Sequence, residues 1–285
     1  MINFTKMHGL GNDYLFINCI NNRFNTEKVA QNARYMCNRH FGIGADGIIL
    51  INKSNVADFK MNIYNSDGSE AEMCGNGIRC FAKYVYDNKL TTKTEIKIET
   101  LCGIKEAYII KNSNIEEITV NMGNPILDAK KIPVNLEKDD YNLKIPKITL
   151  DIENKTIDVY SISMGNPHTI MFVNEIEKID VKKIGKFIEN DRHFPEKTNV
   201  EFIKIIDRST IKMRVWERGT GETMACGTGA CAVAVLSNLL GFTRKKCKVL
   251  LMGGELNILF DEVTKNVYMT GIATKVFDGQ IEELY

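Results

Sequence analysis

Two short stretches of the sequence place a cysteine in nearly the same glycine-rich setting. One begins Cys-Gly-Asn-Gly at Cys74, and the other begins Cys-Gly-Thr-Gly at Cys226. A glutamate stands four residues before each cysteine, at Glu70 and at Glu222, and the two cysteines are 152 positions apart (226 minus 74). Each stretch runs directly into a segment whose apolar residues have helical spacing. The two matched cysteines are therefore the first candidates for chemistry.

A cysteine at the start of a helix lies beside free backbone N–H groups and the positive end of the helix dipole. This position stabilises a thiolate, so we expect the pKa of both thiols to be lowered from about 8.5 towards neutrality. The amides that follow each cysteine can hold an anion such as a carboxylate. We expect the glycines of the two motifs to let such a ligand approach the backbone closely; they are Gly75, Gly77, Gly227 and Gly229.

Two such cysteines can invert the configuration of one carbon. A thiolate removes a proton from one face, a thiol delivers a proton to the other face, and the amides stabilise the charge that develops on the adjacent carboxylate. This chemistry requires neither pyridoxal phosphate nor a metal, and the sequence has no clear motif for either. The Cys74–Cys80 spacing is too long for a Cys-x2-4-Cys zinc knuckle, and no His-x3-5-His pair follows Cys226 and Cys231. We therefore predict no cofactor and no metal site.

The similarity between the two halves of the chain extends beyond the cysteines. Gly11-Asn12 aligns with Gly165-Asn166 at an offset of 154 (165 minus 11). The strands and helices predicted from the sequence also follow one order in both halves, including helices from about 75 to 88 and from 227 to 240. A duplicated chain of this kind predicts two related domains.

We predict an N-terminal half that carries Cys74, formed by 1–122 with a returning strand in 274–285. The C-terminal half, 123–273, carries Cys226. Related halves pack most simply about a pseudo-two-fold axis, which would bring the two helix starts to face each other across a cleft.

Size and composition are those of an ordinary globular protein. The chain has 285 residues, a formal net charge of +1 and 44% hydrophobic residues, which argues against a nucleic-acid or anionic-membrane partner. The N-terminus has no charged leader followed by an apolar run, and no apolar run is long enough to span a membrane. We therefore predict a cytoplasmic protein whose eight cysteines are reduced thiols.

Several motifs together are similar to those of the diaminopimelate epimerase family, and the resemblance covers essentially the whole chain. They are Lys6-Met7-His8-Gly9-Leu10-Gly11-Asn12-Asp13, Asn65-Ser66-Asp67-Gly68-Ser69-Glu70 through Cys74-Gly75-Asn76-Gly77-Ile78-Arg79-Cys80, Gly165-Asn166-Pro167-His168, and Trp216-Glu217-Arg218-Gly219 through Cys226-Gly227-Thr228-Gly229. The resemblance implies a pyridoxal-independent epimerase that interconverts LL- and meso-2,6-diaminopimelate, in lysine and peptidoglycan precursor biosynthesis. It also implies a homodimer and an α/β (α+β) fold of two similar domains. In that fold each domain is a mostly antiparallel sheet wrapped round a central helix, with the active site in the cleft between the domains.

The resemblance also implies roles for particular residues. Cys74 and Cys226 are the acid–base pair, and the amides of Gly75-Asn76 and Gly227-Thr228 take the reacting carboxylate. His168 and Glu217 match positions that tune the pKa of the two thiols. The rest of the substrate is bound by Asn12, Asn65, Asn166, Asn199, Glu217 and Arg218. A guanidinium suits this set because it can pair with the distal carboxylate of a diamino dicarboxylic acid.

One position departs from the family pattern. Gly47 stands where some members have a glutamine that contacts substrate. We expect that contact to be lost or supplied elsewhere, without a change of reaction.

Other functions remain open from the sequence. Proline racemases and hydroxyproline epimerases resemble the same fold and use two cysteines, but their first motif typically reads Cys-Gly-His-Gly, and here position 76 is Asn. A phenazine-biosynthesis-type isomerase shares the fold and lacks the cysteine pair. From another class, Cys74 and Cys226 could act as a thiol redox switch, although redox pairs usually lie close in sequence as Cys-x-x-Cys. A non-catalytic amino-acid-binding module would not require both thiols.

Overall fold

The computed structural model describes residues 1–20, 28–112, 115–136, 144–152 and 155–282. Contacts between residues divide the chain into two compact units, one formed by Met1–Asn121 with Thr270–Tyr285 and the other by Met122–Met269. In the described part of the chain, no helix is long and apolar enough to cross a membrane.

The first unit contains the helices α1 (Val29–Met36) and α2 (Gly75–Asp87). Its strands are β1 (Ile2–Gly9), β2 (Asn12–Asn18), β3 (Gly47–Asn52), β4 (Phe59–Asn65), β5 (Glu70–Ala71), β6 (Glu95–Thr100), β7 (Gly103–Asn112), most of β8 (Ile115–Gly123) and, from the end of the chain, β18 (Thr274–Ile281). Most neighbouring strands pair antiparallel, but β2 pairs parallel with β3, and β4 pairs parallel with β6.

The second unit repeats this pattern. Its helices are α3 (Val181–Glu189) and α4 (Gly227–Leu239), with a short 3-10 turn at Ile176–Lys178. Its strands are β9 (Lys147–Ile152), β10 (Lys155–Ser163), β11 (Pro167–Phe172), β12 (Asn199–Asp207), β13 (Thr210–Glu217), β14 (Gly221–Thr223), β15 (Lys246–Leu251), β16 (Gly254–Phe260) and β17 (Val267–Gly271). Here β11 pairs parallel with β12 and β13 pairs parallel with β15, as β2 with β3 and β4 with β6 in the first unit.

Each unit has one helix that begins at a matched cysteine and packs on the sheet. Helix α2 lies against β1, β2, β3 and β7, and its buried residues include the apolar set that the sequence pattern predicted, Ile78, Phe81, Ala82 and Val85. Helix α4 lies against β10, β11, β12, β13, β15 and β16. It is apolar on all sides and buried from Gly229 to Ser237, as expected of a helix that the sheet surrounds.

The ends of these two helices follow from local sequence. Cys74 and Cys226 both have extended backbone angles as N-cap residues. Gly241 follows the end of α4 with a φ of +80°, a conformation that glycine adopts without the strain a Cβ would bring. The predicted helix ends lie within one residue of the observed ones, and the predicted mixed α/β class with mostly antiparallel strands is confirmed. The pseudo-two-fold relation of the halves stays a prediction.

Candidate active site

The sulfur of Cys74 lies within a small hydrogen-bonded group at the start of α2. Its Sγ accepts from the backbone N–H of Gly77 at 3.3 Å and from the hydroxyl of Tyr14 at 3.3 Å. The side-chain oxygen of Asn12 lies 3.4 Å from the same sulfur. Cys74 is half-buried. A thiolate at this position would have two donors aimed at it, one from the helix start and one from a phenol.

The phenol of Tyr14 is suited to donate. Burial raises the pKa of Tyr14 well above its usual value, and a negative charge on Cys74 raises it further. The hydroxyl therefore stays protonated at neutral pH and stabilises a thiolate rather than competing with it. Tyr14 is not among the predicted residues, although the repeat could have indicated it, since Tyr14 aligns with His168 at the offset of 154 that relates the two halves.

Tyr14→Phe is expected to lower kcat about tenfold, because a hydrogen bond to a charged group contributes about 1.5–3 kcal/mol. The acidic limb of the kcat/KM profile should move to higher pH, since a thiolate at Cys74 loses one donor. The measurement is a pH–rate series, with Tyr160→Phe as a control that removes a tyrosine hydroxyl in the other unit. An acidic limb that does not move would show that the phenol has no part in the chemistry.

Asn12 connects the sulfur to a group of ion pairs. Its Nδ2 donates to Asp46 Oδ2 at 2.7 Å, and the same carboxylate oxygen accepts from the backbone N–H of Asp13 at 3.1 Å. Arg39 then bridges both acids, at 2.7 Å to Asp13 and 2.9 Å to Asp46. Lys6 lies 3.0 Å from Asp13. This network fixes the loop that carries Asn12, so the orientation of its amide next to Cys74 is determined by charges outside the site.

The network predicts how stability depends on pH. Burial alone would raise the pKa of Asp13, but hydrogen bonds from Arg39 and Lys6 outweigh it and the pKa is lowered from 3.8. A carboxyl whose pKa is lowered on folding stabilises the protein at pH values above its pKa in the unfolded chain. This stabilisation is lost as the pH falls through its pKa in the folded chain. Arg39 is half exposed, which limits its contribution.

Arg39→Met should therefore lower the free energy of unfolding by about 0.5–1 kcal/mol at pH 7. As the pH falls below 3.8 towards the lowered pKa of Asp13 in the folded chain, the difference from the unmodified protein should shrink, so it should be smaller at pH 3. Urea unfolding at both pH values measures this. An equal difference at pH 7 and pH 3 would mean that Arg39 acts through packing and not through charge.

Two further predicted residues, Asn76 and Asn65, lie in the same unit as Cys74. Asn76 is buried in the first turn of α2, where its Nδ2 donates to Asn12 Oδ1 at 3.3 Å and its Oδ1 accepts from the buried Arg79 at 2.8 Å. Asn65 ends β4, where its backbone lies opposite Gly47 and its side chain donates to Ser69 Oγ at 3.0 Å. Gly47 on β3 also pairs with Tyr14 on β2, so Tyr14, Gly47 and Asn65 lie side by side on three neighbouring strands.

Gly47 has no room for a side chain as the strands now stand. A Cβ built there would lie 2.4 Å from the carbonyl oxygen of Tyr64 and 2.9 Å from the ring of Tyr14. The space where a glutamine side chain would begin is thus occupied by the backbone carbonyl of Tyr64 and by the ring of Tyr14, the tyrosine that donates to Cys74. This gives the departure at Gly47 a physical reason in this chain.

Cys226 has the same backbone device as Cys74 but a different chemical setting. Its Sγ accepts from the backbone N–H of Gly229 at 3.4 Å and lies 3.5 Å from the hydroxyl of Thr228. Burial, together with the charges of Glu217 and Glu201, raises the pKa of Cys226 well above its usual value. The predicted lowering is therefore wrong for Cys226, because burial and two carboxylates outweigh the helix start and the hydrogen bonds. For Cys74 it stays a prediction.

Two of the predicted residues near Cys226, His168 and Asn166, lie in one hydrogen-bonded chain. His168 is fully buried on β11, with its Nδ1 2.6 Å from Glu201 Oε1 and its Nε2 3.1 Å from Asn166 Oδ1. Glu217 ends β13 and accepts from Thr223 Oγ1 at 2.5 Å. Burial raises the pKa of Glu217, which favours its neutral form relative to an exposed glutamate.

Asn199 and Arg218 complete the predicted set in the second unit. The side chain of Asn199 donates to the carbonyl of Pro167 at 2.8 Å and accepts from the backbone N–H of Arg218 at 2.9 Å. The guanidinium of Arg218 is exposed and donates to the carbonyl of Glu196 at 3.0 Å. Asn199 thus holds the loop that carries Arg218. Because the guanidinium is exposed, it can leave the carbonyl of Glu196 and pair with a carboxylate at little desolvation cost.

Three side chains of the kind that bind metals lie together in this unit. The donor atoms of His168, Glu201 and Cys226 are all within 4.8 Å of one another. The separation of 2.6 Å between His168 and Glu201 is a hydrogen bond, since two tetrahedral ligands held about 2.0–2.2 Å from zinc lie farther apart. His168 and Glu201 are therefore arranged to share a proton.

The motif glycines have a role that the sequence argument did not foresee. A Cβ built on Gly77 would lie 2.8 Å from Ile49 Cδ1, and one built on Gly229 would lie 2.6 Å from Glu201 Oε1. These two glycines therefore let α2 and α4 approach the sheet closely. That the four motif glycines also let a ligand approach the backbone stays a prediction.

Comparison with known proteins gives a consistent result. The chain matches the family model described as diaminopimelate epimerase over residues 4–127 and 160–276. It is 50% identical over 282 residues to a protein of that name from Methanococcus maripaludis, covering 98% of this chain and 99% of the relative. It is 48% identical over 280 residues to one from Acetivibrio thermocellus, covering 98% of each.

Solved structures show the same fold at much lower identity. A phenazine biosynthesis protein of the PhzF family from Bacillus anthracis superimposes with a TM-score of 0.71 at 16% identity, covering 99% of both chains. A probable proline racemase from Agrobacterium radiobacter gives 0.69 at 15% identity, covering 99% of this chain and 93% of the other. At this identity the likeness concerns the fold alone.

Proposed function

The chain belongs to the diaminopimelate epimerase family, and from that premise we propose how its residues carry out the reaction. The function is interconversion of LL- and meso-2,6-diaminopimelate, so the protein is an isomerase whose substrate is a small molecule. We propose that Cys74 and Cys226 are the two acid–base residues, that one acts as thiolate base and the other as thiol acid, and that the roles exchange with direction. In this account the chain's own side chains and amides suffice, without pyridoxal phosphate or a metal.

The observation that carries this proposal is the repetition of one device in both units. In each, a cysteine caps a helix and accepts a hydrogen bond from the amide three residues later, at 3.3 Å for Cys74 and 3.4 Å for Cys226. The glycine that follows each cysteine starts the helix, where the first backbone amides have no carbonyl partner within the helix and can hold an anion. Removing an α-proton places negative charge on the adjacent carboxylate, so amides at this position favour the transition state.

The other predicted residues suit the rest of the substrate. We propose that the amides at Gly75-Asn76 and Gly227-Thr228 take the reacting carboxylate and that Arg218 pairs with the distal one. A distal ammonium group needs acceptors, and amide and carboxylate oxygens provide them; the proposed contacts are Asn12, Asn65, Asn166, Asn199 and Glu217. His168 and Glu217 are proposed to adjust the two thiols through the contacts described above.

The test is a stereochemical assay of the purified protein. With LL-diaminopimelate as substrate, chiral chromatography should show the meso isomer forming until the two reach equilibrium, and the same assay with L-proline and trans-4-hydroxy-L-proline should show no change. Inversion of a proline substrate but not of diaminopimelate would overturn the proposal. The curated relatives carry the diaminopimelate name, and nothing among them favours the racemase or redox alternatives.

We also propose a homodimer, two epimerase half-domains formed by 1–122 with 274–285 and by 123–273, a cytoplasmic location, and a role in lysine and peptidoglycan precursor biosynthesis. Family membership supports these assignments. Light scattering on the purified protein tests the first directly, since a dimer has twice the 32.3 kDa of the chain.

A further inference from the structure

Glu201 is a buried acid that sequence reasoning missed. It lies on β12 between Val200 and Phe202, and all three side chains are fully buried. Its Oε1 is 2.6 Å from His168 Nδ1, while its Oε2 has no hydrogen-bond partner among the described residues. A buried carboxylate with one unpaired oxygen is costly to fold, so its presence calls for a specific role.

The other unit shows that the fold itself does not require an acid at this position. In the first unit β2 runs parallel to β3 with Tyr14 opposite Gly47, and in the second β11 runs parallel to β12 with His168 opposite Asn199. Two residues further along each second strand come Ile49 and Glu201.

Ile49 and Glu201 also lie against corresponding points of the two helices. A Cβ built on Gly77 would meet Ile49, and a Cβ built on Gly229 would meet Glu201. The same place in the architecture is therefore filled by an isoleucine beside Cys74 and by a glutamate beside Cys226. Packing alone accounts for the isoleucine but not for the carboxylate.

The carboxylate acts on two groups of the site. It holds the ring of His168 at Nδ1, and Asn166 meets the ring at Nε2, so both nitrogens are engaged and the ring cannot turn. It also lies within 4.8 Å of the Cys226 sulfur. The titratable groups that face this sulfur are His168 from β11, Glu201 from β12 and Glu217 from the end of β13, and the two acids favour the protonated thiol.

We propose that Glu201 is a positioning residue that orients His168 and keeps Cys226 protonated as the proton-donating thiol. This inference rests on the proposed function. In the direction in which Cys226 acts as acid, its S–H bond breaks, a C–H bond forms at the α-carbon, and the electron pair of the carbanion becomes that bond. In the reverse direction the Cys226 thiolate takes the α-proton and becomes the thiol again. Glu201 touches neither the substrate nor the transferred proton.

The test is Glu201→Gln, which keeps the volume and an oxygen acceptor for His168 but removes the charge. With the cysteines labelled by carbon-13 at Cβ, the resonance of Cys226 is assigned by its absence in Cys226→Ser, and its shift is followed against pH. We expect the titration midpoint of Cys226 to move down by about one pH unit, because a nearby like charge is gone. The alkaline limb of the kcat profile should move down with it, kcat should fall about tenfold, and KM should change little.

Glu189→Gln is the matched control, since it also neutralises a buried glutamate of the same unit, one held by Trp216 and the backbone of Gly219. It should leave the Cys226 midpoint unchanged. A midpoint in Glu201→Gln equal to that of the unmodified protein, in a variant that melts cooperatively, overturns the proposal. If Glu201→Gln does not fold, Glu201→Ile, which copies the residue of the first unit, is titrated instead, and failure of both to fold assigns the acid to folding and overturns the proposal.

The midpoint is measured without substrate. A shifted midpoint in a protein that does not epimerise diaminopimelate would therefore refute the proposed function and leave the effect of Glu201 on Cys226 standing. An unshifted midpoint in a protein that epimerises diaminopimelate would refute the role of Glu201 and leave the proposed function standing.

Discussion

Cys74→Ser and Cys226→Ser should each lower kcat for epimerisation by about 10²- to 10⁴-fold, the range that positioned acid–base groups contribute. A serine hydroxyl keeps the size and the hydrogen bonds of a thiol but does not ionise near neutral pH, so neither variant retains both a base and an acid. The measurement is the initial rate of meso-isomer formation from the LL isomer. KM should change far less than kcat, since the amides that hold the carboxylate are backbone groups.

Cys102→Ser is the control for this pair, because Cys102 is an exposed cysteine outside the site whose sulfur contacts Glu72 at 3.6 Å. Its rate should equal that of the unmodified protein. Full activity in Cys74→Ser or Cys226→Ser would remove that thiol from the mechanism and with it the two-base account.

Gly229→Ala and Gly77→Ala should differ sharply although they occupy matching places. The added methyl at Gly229 meets the carboxylate of Glu201, which His168 holds in place, and also lies 3.3 Å from the Cys226 sulfur. We expect a loss of about 1–3 kcal/mol in the free energy of unfolding, as for overpacked cores, and at least a tenfold fall in kcat. Urea unfolding and initial rates measure the two effects.

At Gly77 the methyl meets the free ends of Ile49 and Met61, at 2.8 and 3.1 Å. These ends can rotate away, and alanine gains about 1 kcal/mol over glycine in a helix. Gly77→Ala should therefore change stability by less than about 1 kcal/mol. Equal losses at the two positions would show that the contact with Glu201 has no special effect.

Much of the fold could be predicted because its signals are local. A cysteine cap, glycines in the first turn and apolar residues at helical spacing define α2 and α4 without reference to distant residues. The repeat then relates the two halves, and from that relation the matched thiols follow.

The chemistry around each thiol could be predicted only in part, because it depends on side chains brought together by parallel strand pairs. Glu201 is one acid within a buried strand, and no local pattern shows that it faces Cys226. The pKa of Cys226 follows from this burial and charge, whereas the helix start, which a sequence does show, is the weaker effect. The contact of Tyr14 with Cys74 spans 60 residues of chain, so only the repeat, which matches Tyr14 with His168, could have indicated it.

Proton transfer in deuterium oxide tests the role of the two sulfurs most directly. LL-diaminopimelate is incubated with the enzyme in deuterium oxide, and substrate and product are separated during the first few per cent of conversion. With one thiol taking the proton and the other delivering a solvent-derived one, deuterium should appear at one α-carbon of the newly formed meso isomer while the remaining substrate stays unlabelled. Deuterium that enters recovered substrate as fast as product would indicate a single base serving both faces, and would contradict the pairing of Cys74 with Cys226.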